Sequence, residues 1–173
     1  MNKKLFGISM ISAGLLLAGP STSFADFKTY AGSECERFDE NVDPATYLNG
    51  SGRFNPSTTS ILRMDCPAVH DRYGNISRTW IRVVDQNPAD SVCARMVAVR
   101  NIGMAFVQVN GPVECTPPAL NSPKAWQLNT TIPIFPANTD MHYYHSVYNI
   151  PKSYFGRDSG VVSYQVTETN GFD

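Results

Sequence analysis

The chain has 173 residues, with 14 Lys or Arg against 15 Asp or Glu and a net charge of −1. That length is enough for one domain with a real core. The near-neutral balance gives no basic footprint for nucleic acid and no polybasic patch for anionic membranes. Charged residues make up 17% of the chain, so Ser, Thr, Asn and Gln carry much of its polarity.

Lys3 and Lys4 precede an uncharged apolar run from Leu5 to Gly19, which Pro20 breaks. Ser23-Phe24-Ala25 then supplies small residues three and one positions before a cut. This is the pattern of a secretory signal peptide cleaved after Ala25, and the run is too short to read as a membrane span. The expected organisation is a signal peptide over 1–25 and one domain over 26–173, secreted or periplasmic.

Beyond Asp26 the chain reads as short strands between turn signals. Residues 36–59 are rich in turn formers (Pro44, Asn49-Gly50, Gly52, Pro56) and predict at most one short strand or helical turn. Ser60 to Cys66 alternates partly, with Pro67 as its end. Thr79 to Asp85 is rich in β-formers and stops at Gln86-Asn87-Pro88. Ser91 to Arg100 places Val92, Ala94, Met96 and Ala98 on one face and Cys93, Arg95, Val97 and Val99 on the other. Asn101-Ile102-Gly103 turns the chain and Met104 to Glu114 runs back, the clearest hairpin of the sequence. Trp126 to Phe135 reads as an edge strand because of Pro133. His142 to Ile150 is aromatic and β-branched. Val161 to Glu168 alternates, with Val162, Tyr164 and Val166 on one side. Seven or eight strands at regular spacing, and no helical stripe, predict an all-β fold: a single antiparallel β-sandwich, with a jelly roll as one form of it.

Four cysteines, Cys35, Cys66, Cys93 and Cys115, are an even count without a CxxC pair. In an oxidising compartment this implies two disulfides and argues against a zinc site built on close pairs. Sequential pairing, Cys35–Cys66 and Cys93–Cys115, closes the shorter loops and is the expected connectivity.

The order of an early Cys35, then Gly52 and Asn55, Cys66-Pro67, Val84-Asp85-Gln86-Asn87, Val92-Cys93 and a terminal Ser163 to Glu168 resembles a group of small secreted bacterial β-sandwich proteins of unassigned function. The resemblance implies fold and compartment and carries no catalytic residues.

Candidate chemistry is sparse. His142-Tyr143-Tyr144-His145 has HxxH spacing, but on a strand the two rings point to opposite faces, so one shared metal site is not expected. A secreted hydrolase built near His142, His145 and Asp140 is the enzymatic alternative. No G-x-S-x-G elbow and no phosphate loop is present. Asp85, Asn87 and Asp90 gather three oxygen side chains in one turn, a calcium candidate whose plainer reading is a capped turn. Glu36, Asp39, Glu40 and Asp43 read as a solvated acidic loop. The aromatic surplus is more suggestive. Trp80 and Tyr164 are expected in the core, whereas Tyr143, Tyr144, Tyr148 and Tyr154, with His142 and His145, form the densest aromatic and polar stretch. The function expected from this is a noncatalytic secreted module binding carbohydrate or a cell-surface protein, with no cofactor. A purely structural envelope role is the third possibility.

Overall fold

In the computed structural model, the described residues are 26–38, 42–47, 50–69, 74–117, 124–131 and 141–170. They build twelve strands: β1 (Asp26–Ala31), β2 (Glu36–Arg37), β3 (Ala45–Tyr47), β4 (Gly52–Phe54), β5 (Leu62–Ala68), β6 (Gly74–Asp85), β7 (Cys93–Ile102), β8 (Ala105–Asn110), β9 (Glu114–Cys115), β10 (Lys124–Thr130), β11 (Met141–Ile150) and β12 (Gly160–Asn170). A 3₁₀ turn at Gly32–Glu34 is the one helical element among the described residues. No helix there is long and apolar enough to cross a membrane.

The strands form two antiparallel six-stranded sheets. In the first the order is β10-β6-β12-β4-β3, with β1 beside β4 along the same edge of β12; in the second it is β2-β5-β11-β7-β8, with β9 following β8 along β7. The expected β-sandwich is therefore present, and the alternation explains it. Ile81, Val83, Tyr164, Val166 and Leu128 point inward from the first sheet, and Leu62, Met64, Ala94, Met96, Ala98 and Val147 point inward from the second. Tyr30 stacks on Tyr164 with ring centroids 5.0 Å apart, and its hydroxyl donates to the Val69 carbonyl at 3.1 Å, tying the two sheets at one end.

Both disulfides form as the spacing predicts, Cys35–Cys66 and Cys93–Cys115, and no described cysteine is free. Cys35 and Cys66 are fully buried and join the segment before β2 to β5. Cys93 and Cys115 face each other directly in the β7–β9 pair. Closing a loop of 22 residues is worth about 3 kcal/mol in the chain-entropy description. Replacing both Cys93 and Cys115 by Ala is therefore expected to lower the unfolding free energy by about that amount, read from urea titrations of the two proteins.

The structure departs from the sequence reading in several places. The turn-rich stretch 36–59 holds β2, β3 and β4, three strands too short to show periodicity. Pro67 does not end β5, which runs to Ala68; β2 covers only Met64 and Asp65, so the missing N–H of Pro67 costs no ladder bond on that edge. β1, unread in the sequence, pairs along β12 from Asp26↔Glu168 to Ala31↔Ser163. The alternation of β12 breaks at Val162, where the register with β6 shifts between Val161 and Ser163. This bulge lets both Val161 and Tyr164 point inward, and both are fully buried. The hairpin forms, but Asn101 and Ile102 belong to β7 and pair with Phe106 and Ala105; the chain reverses at Gly103-Met104, where Gly103 has a positive φ of 64°, open to glycine without strain. β10 is an edge strand as expected, while Pro133 lies outside the described residues.

Trp80 corrects an expectation. It shares strand parity with Arg78 and Arg82, opposite to Ile81 and Val83, so it lies on the outward side of the first sheet and not in the core. The partly buried Trp that packs against the core is Trp126.

Candidate functional site

β11 is the central strand of the second sheet, flanked by β5 and β7. Its alternation decides where five of the six candidate aromatic and histidine residues lie. Met141, Tyr143, His145 and Val147 are buried, while His142 is exposed and Tyr144, Ser146 and Tyr148 are half-buried on the outward side. The six-residue candidate cluster therefore splits. Tyr143 and His145 lie on the buried, inward side of β11, and His145 cannot meet a ligand on the surface. His145 packs edge-on against Tyr164 of the opposite sheet, with ring centroids 5.5 Å apart. Because His142 and His145 lie on opposite sides of the sheet, they do not make a shared hydrolytic or metal site. Asp140, their proposed partner, is outside the described residues.

Tyr154 does not join the others. It lies in the turn between β11 and β12, bridged to Arg157 and edge-on to Phe155 at 4.5 Å. Tyr144, Tyr148 and His142 remain together on the outward side of β11.

The register adds partners that the sequence did not reveal. Ser146 stands between Asp65 of β5 and Arg95 of β7 in one row. Tyr144 stands in the next row, between Pro67 and Val97. The Arg95 guanidinium lies 5.6 Å from the ring centroid of Tyr148, a cation–π contact. Arg95 Nε is buried without a hydrogen-bond partner. Val97 has outward parity and is nonetheless fully buried, so these side chains form a layer over the sheet. Where β5 ends and β11 begins, next to Tyr144, lies a cleft of about 440 Å³ lined from both sides of the sheet by Pro67, Ala68, Val69, Met141, His142 and the two adjacent tyrosines.

The electrostatics couple this row. Burial raises the Asp65 carboxyl above its ordinary range, and the Ser146 hydroxyl and the Arg95 charge pull it part of the way back. Burial, reinforced by Asp65, raises the Tyr144 phenol, with Arg95 opposing. The outward side of the sheet thus carries a carboxyl, a guanidinium, a hydroxyl and two aromatic rings at neighbouring register positions. Asp65 and Arg95 carried a faint signal in the sequence: each interrupts an apolar alternation at an outward position. Which strands bring them together was not readable there.

The calcium candidate is a structural network instead. Asp85 is fully buried; its Oδ1 accepts from Asn87 N at 3.1 Å and Ser159 Oγ at 3.4 Å, and its Oδ2 accepts from Val92 N at 3.4 Å and from the Thr116 hydroxyl. Asn87 Oδ1 accepts from Ala89 N and its amide donates to the Lys152 carbonyl. Oxygens committed to loop N–H and hydroxyl groups are not offered to a cation, and Asp90 stands exposed apart from them. Among the described residues no group of three or more His, Cys, Asp or Glu is placed to hold a metal. Of the acidic loop, Asp43 pairs with Arg37 beside a second hollow of about 390 Å³ lined by Cys35, Glu36, Pro44 and Arg53; Asp39 and Glu40 are outside the described residues. Comparison with known protein families and with characterised proteins returns no match.

Proposed function

We propose that the chain is a noncatalytic binding module exported from the cytoplasm, and that the outward side of its second sheet is the contact surface for a carbohydrate or a cell-surface partner. The observation that carries this reading is the register row Asp65–Ser146–Arg95 set between Tyr144 and Tyr148. Rigid aromatic rings supply contact area at low entropic cost, and a paired acid and base fix a polar ligand by charge-assisted hydrogen bonds. The two disulfides suit an oxidising compartment. Export is supported further by the charged-apolar-small pattern of residues 1–25. The resemblance to small secreted bacterial β-sandwich proteins agrees with it.

Export predicts that the protein recovered outside the cytoplasm begins at Asp26 and takes up no alkylating agent before reduction. Intact mass with and without reduction reads both; retention of residues 1–25 contradicts export. Binding predicts that the wild-type protein is retained by at least one member of a panel of immobilised polysaccharides and cell-envelope fractions. Tyr148→Ala and Arg95→Gln should each weaken that retention roughly tenfold, as truncation of an interface anchor does, while thermal midpoints stay close to wild type. Retention equal to wild type in both folded variants contradicts the assignment of the site.

A further inference from the structure

We propose a second binding site on the opposite side of the sandwich, for an acidic polysaccharide chain, centred on Trp80. The outward side of the first sheet is built by β10, β6, β12 and β1 in register. One row across these four strands is Asn129, Trp80, Gln165 and Thr29. Along β6, Trp80 is flanked at two-residue steps by Arg78 and Arg82, both exposed. Two-residue steps place the two arginine Cα atoms about 13 Å apart with the indole midway. That is the reach of a short run of linked sugar rings.

Trp80 belongs to neither core cluster, and its position does not need a Trp to fill space. Its neighbours hold it in place. Trp80 Nε1 donates to Gln165 Oε1, and Gln165 Nε2 donates to Thr29 Oγ1 at 3.3 Å. On the other side Gln127 Nε2 donates to Asn129 Oδ1 at 3.1 Å. The Arg82 guanidinium sits 5.7 Å from the indole centroid. An oriented indole between preset amides is suited to stack a sugar ring and hydrogen-bond its hydroxyls.

Charge selects the class of saccharide. The outward register positions of β1, β6, β10 and β12 carry no Asp or Glu. The acids of these strands with described side chains, Asp85 and Glu168, point inward and are buried, Glu168 paired with Lys28 at 3.1 Å. Among the described residues, the outward register positions of these four strands thus carry formal charge only from Arg78 and Arg82. Guanidinium groups flanking the ring match carboxylates repeated along a uronic-acid chain, which they bind as bidentate pairs. Two arginines in an amide-rich field fall short of the basic track that a nucleic acid needs. A neutral glycan would leave both without a counter-charge.

The test is affinity electrophoresis of the full exported protein through gels containing polygalacturonate, with dextran and single-stranded poly(dT) as comparators. Wild type should be retarded by polygalacturonate alone, and less so as salt rises. Trp80→Ala and the double variant Arg78→Gln/Arg82→Gln should each weaken binding at least tenfold. Gln108→Ala, exposed on β8 of the other sheet and part of neither site, should bind polygalacturonate as wild type does. The exposed arginine pair decides the matter if Trp80→Ala melts early. No retardation of wild type, equal retardation in dextran, retardation by poly(dT) alone, or an arginine variant that binds as wild type would overturn the proposal.

Discussion

Asp85→Ala is expected to lose about 3–5 kcal/mol of stability, the cost of removing a fully buried group that satisfies four donors. Those donors come from three places: the β6–β7 loop at Asn87 and Val92, Thr116 after β9, and Ser159 before β12. Further bonds close the cluster, with Gln86 N donating to Ser159 Oγ at 2.9 Å and Thr116 N to the Val92 carbonyl at 2.9 Å. Truncating the carboxyl leaves Asn87 N and the Ser159 and Thr116 hydroxyls without this acceptor, while Val92 N keeps Thr116 Oγ1 at 3.0 Å. Asp85→Asn should recover only part of this, because its amide nitrogen replaces one acceptor oxygen and faces the Val92 N–H or the Asn87 N–H. Urea denaturation of the three proteins at neutral pH measures this, and an Asn variant as stable as wild type contradicts it. The same experiment with added calcium should show no shift in midpoint, since the oxygens are already engaged.

Acidification is expected to weaken the fold through His145. Its ring is fully buried between the sheets, neither nitrogen has a hydrogen-bond partner, and burial lowers its pKa from 6.5 to about 3. In the unfolded chain the ring takes up a proton near its ordinary value of about 6.5. Above that pH both states are neutral and His145 adds no pH dependence. As pH falls from 6.5 towards 3, the unfolded state binds a proton that the folded state refuses. Stability then drops by about 1.4 kcal/mol per pH unit, or roughly 4–5 kcal/mol over the whole window. His145→Leu should remove this slope and raise stability at neutral pH as well, because it deletes two unsatisfied polar atoms. Unfolding free energies of both proteins at pH 7 and pH 4.5 decide it. A difference between them that does not change with pH contradicts the burial of the neutral ring.

The long strands were legible in the sequence because each buries one face. Ser91 to Arg100 alternates with a period of two, as do Met141 to Val147 before the register shift at Tyr148 and Tyr164 to Glu168 beyond the bulge at Val162, where the alternation read for Val161 to Glu168 misplaces Val162. The disulfides followed from count and spacing. Parity could have placed more than it did. Trp80 is in phase with Arg78 and Arg82, and Tyr143 and His145 are in phase with Val147, so the side of the sheet each occupies was already encoded. An aromatic residue beside apolar neighbours reads as core until the phase is followed. What the sequence withheld was long-range. β2, β3, β4 and β9 are too short for any period, and the bulge at Val162 shifts a register that depends on β6. The row Asp65–Ser146–Arg95 joins three strands that lie far apart along the chain. The pairing of Asp85 with Thr116 and Ser159 is of the same kind: a buried carboxyl at a strand end and a turn-forming Asn two residues on look alike whether the oxygens face a cation or loop N–H groups.

Two adjacent residues test the binding surface most directly. Tyr143 is buried and Tyr144 lies on the outward layer, one step along the same strand. Tyr143→Ala and Tyr144→Ala are compared for thermal midpoint and for retention on a polysaccharide or envelope fraction that holds wild type and Trp80→Ala equally. The expected result is a split: Tyr143→Ala melts well below wild type, whereas Tyr144→Ala melts close to wild type and loses retention. A Tyr144→Ala protein that is folded and retained as strongly as wild type would contradict the outward side of the second sheet as the contact surface.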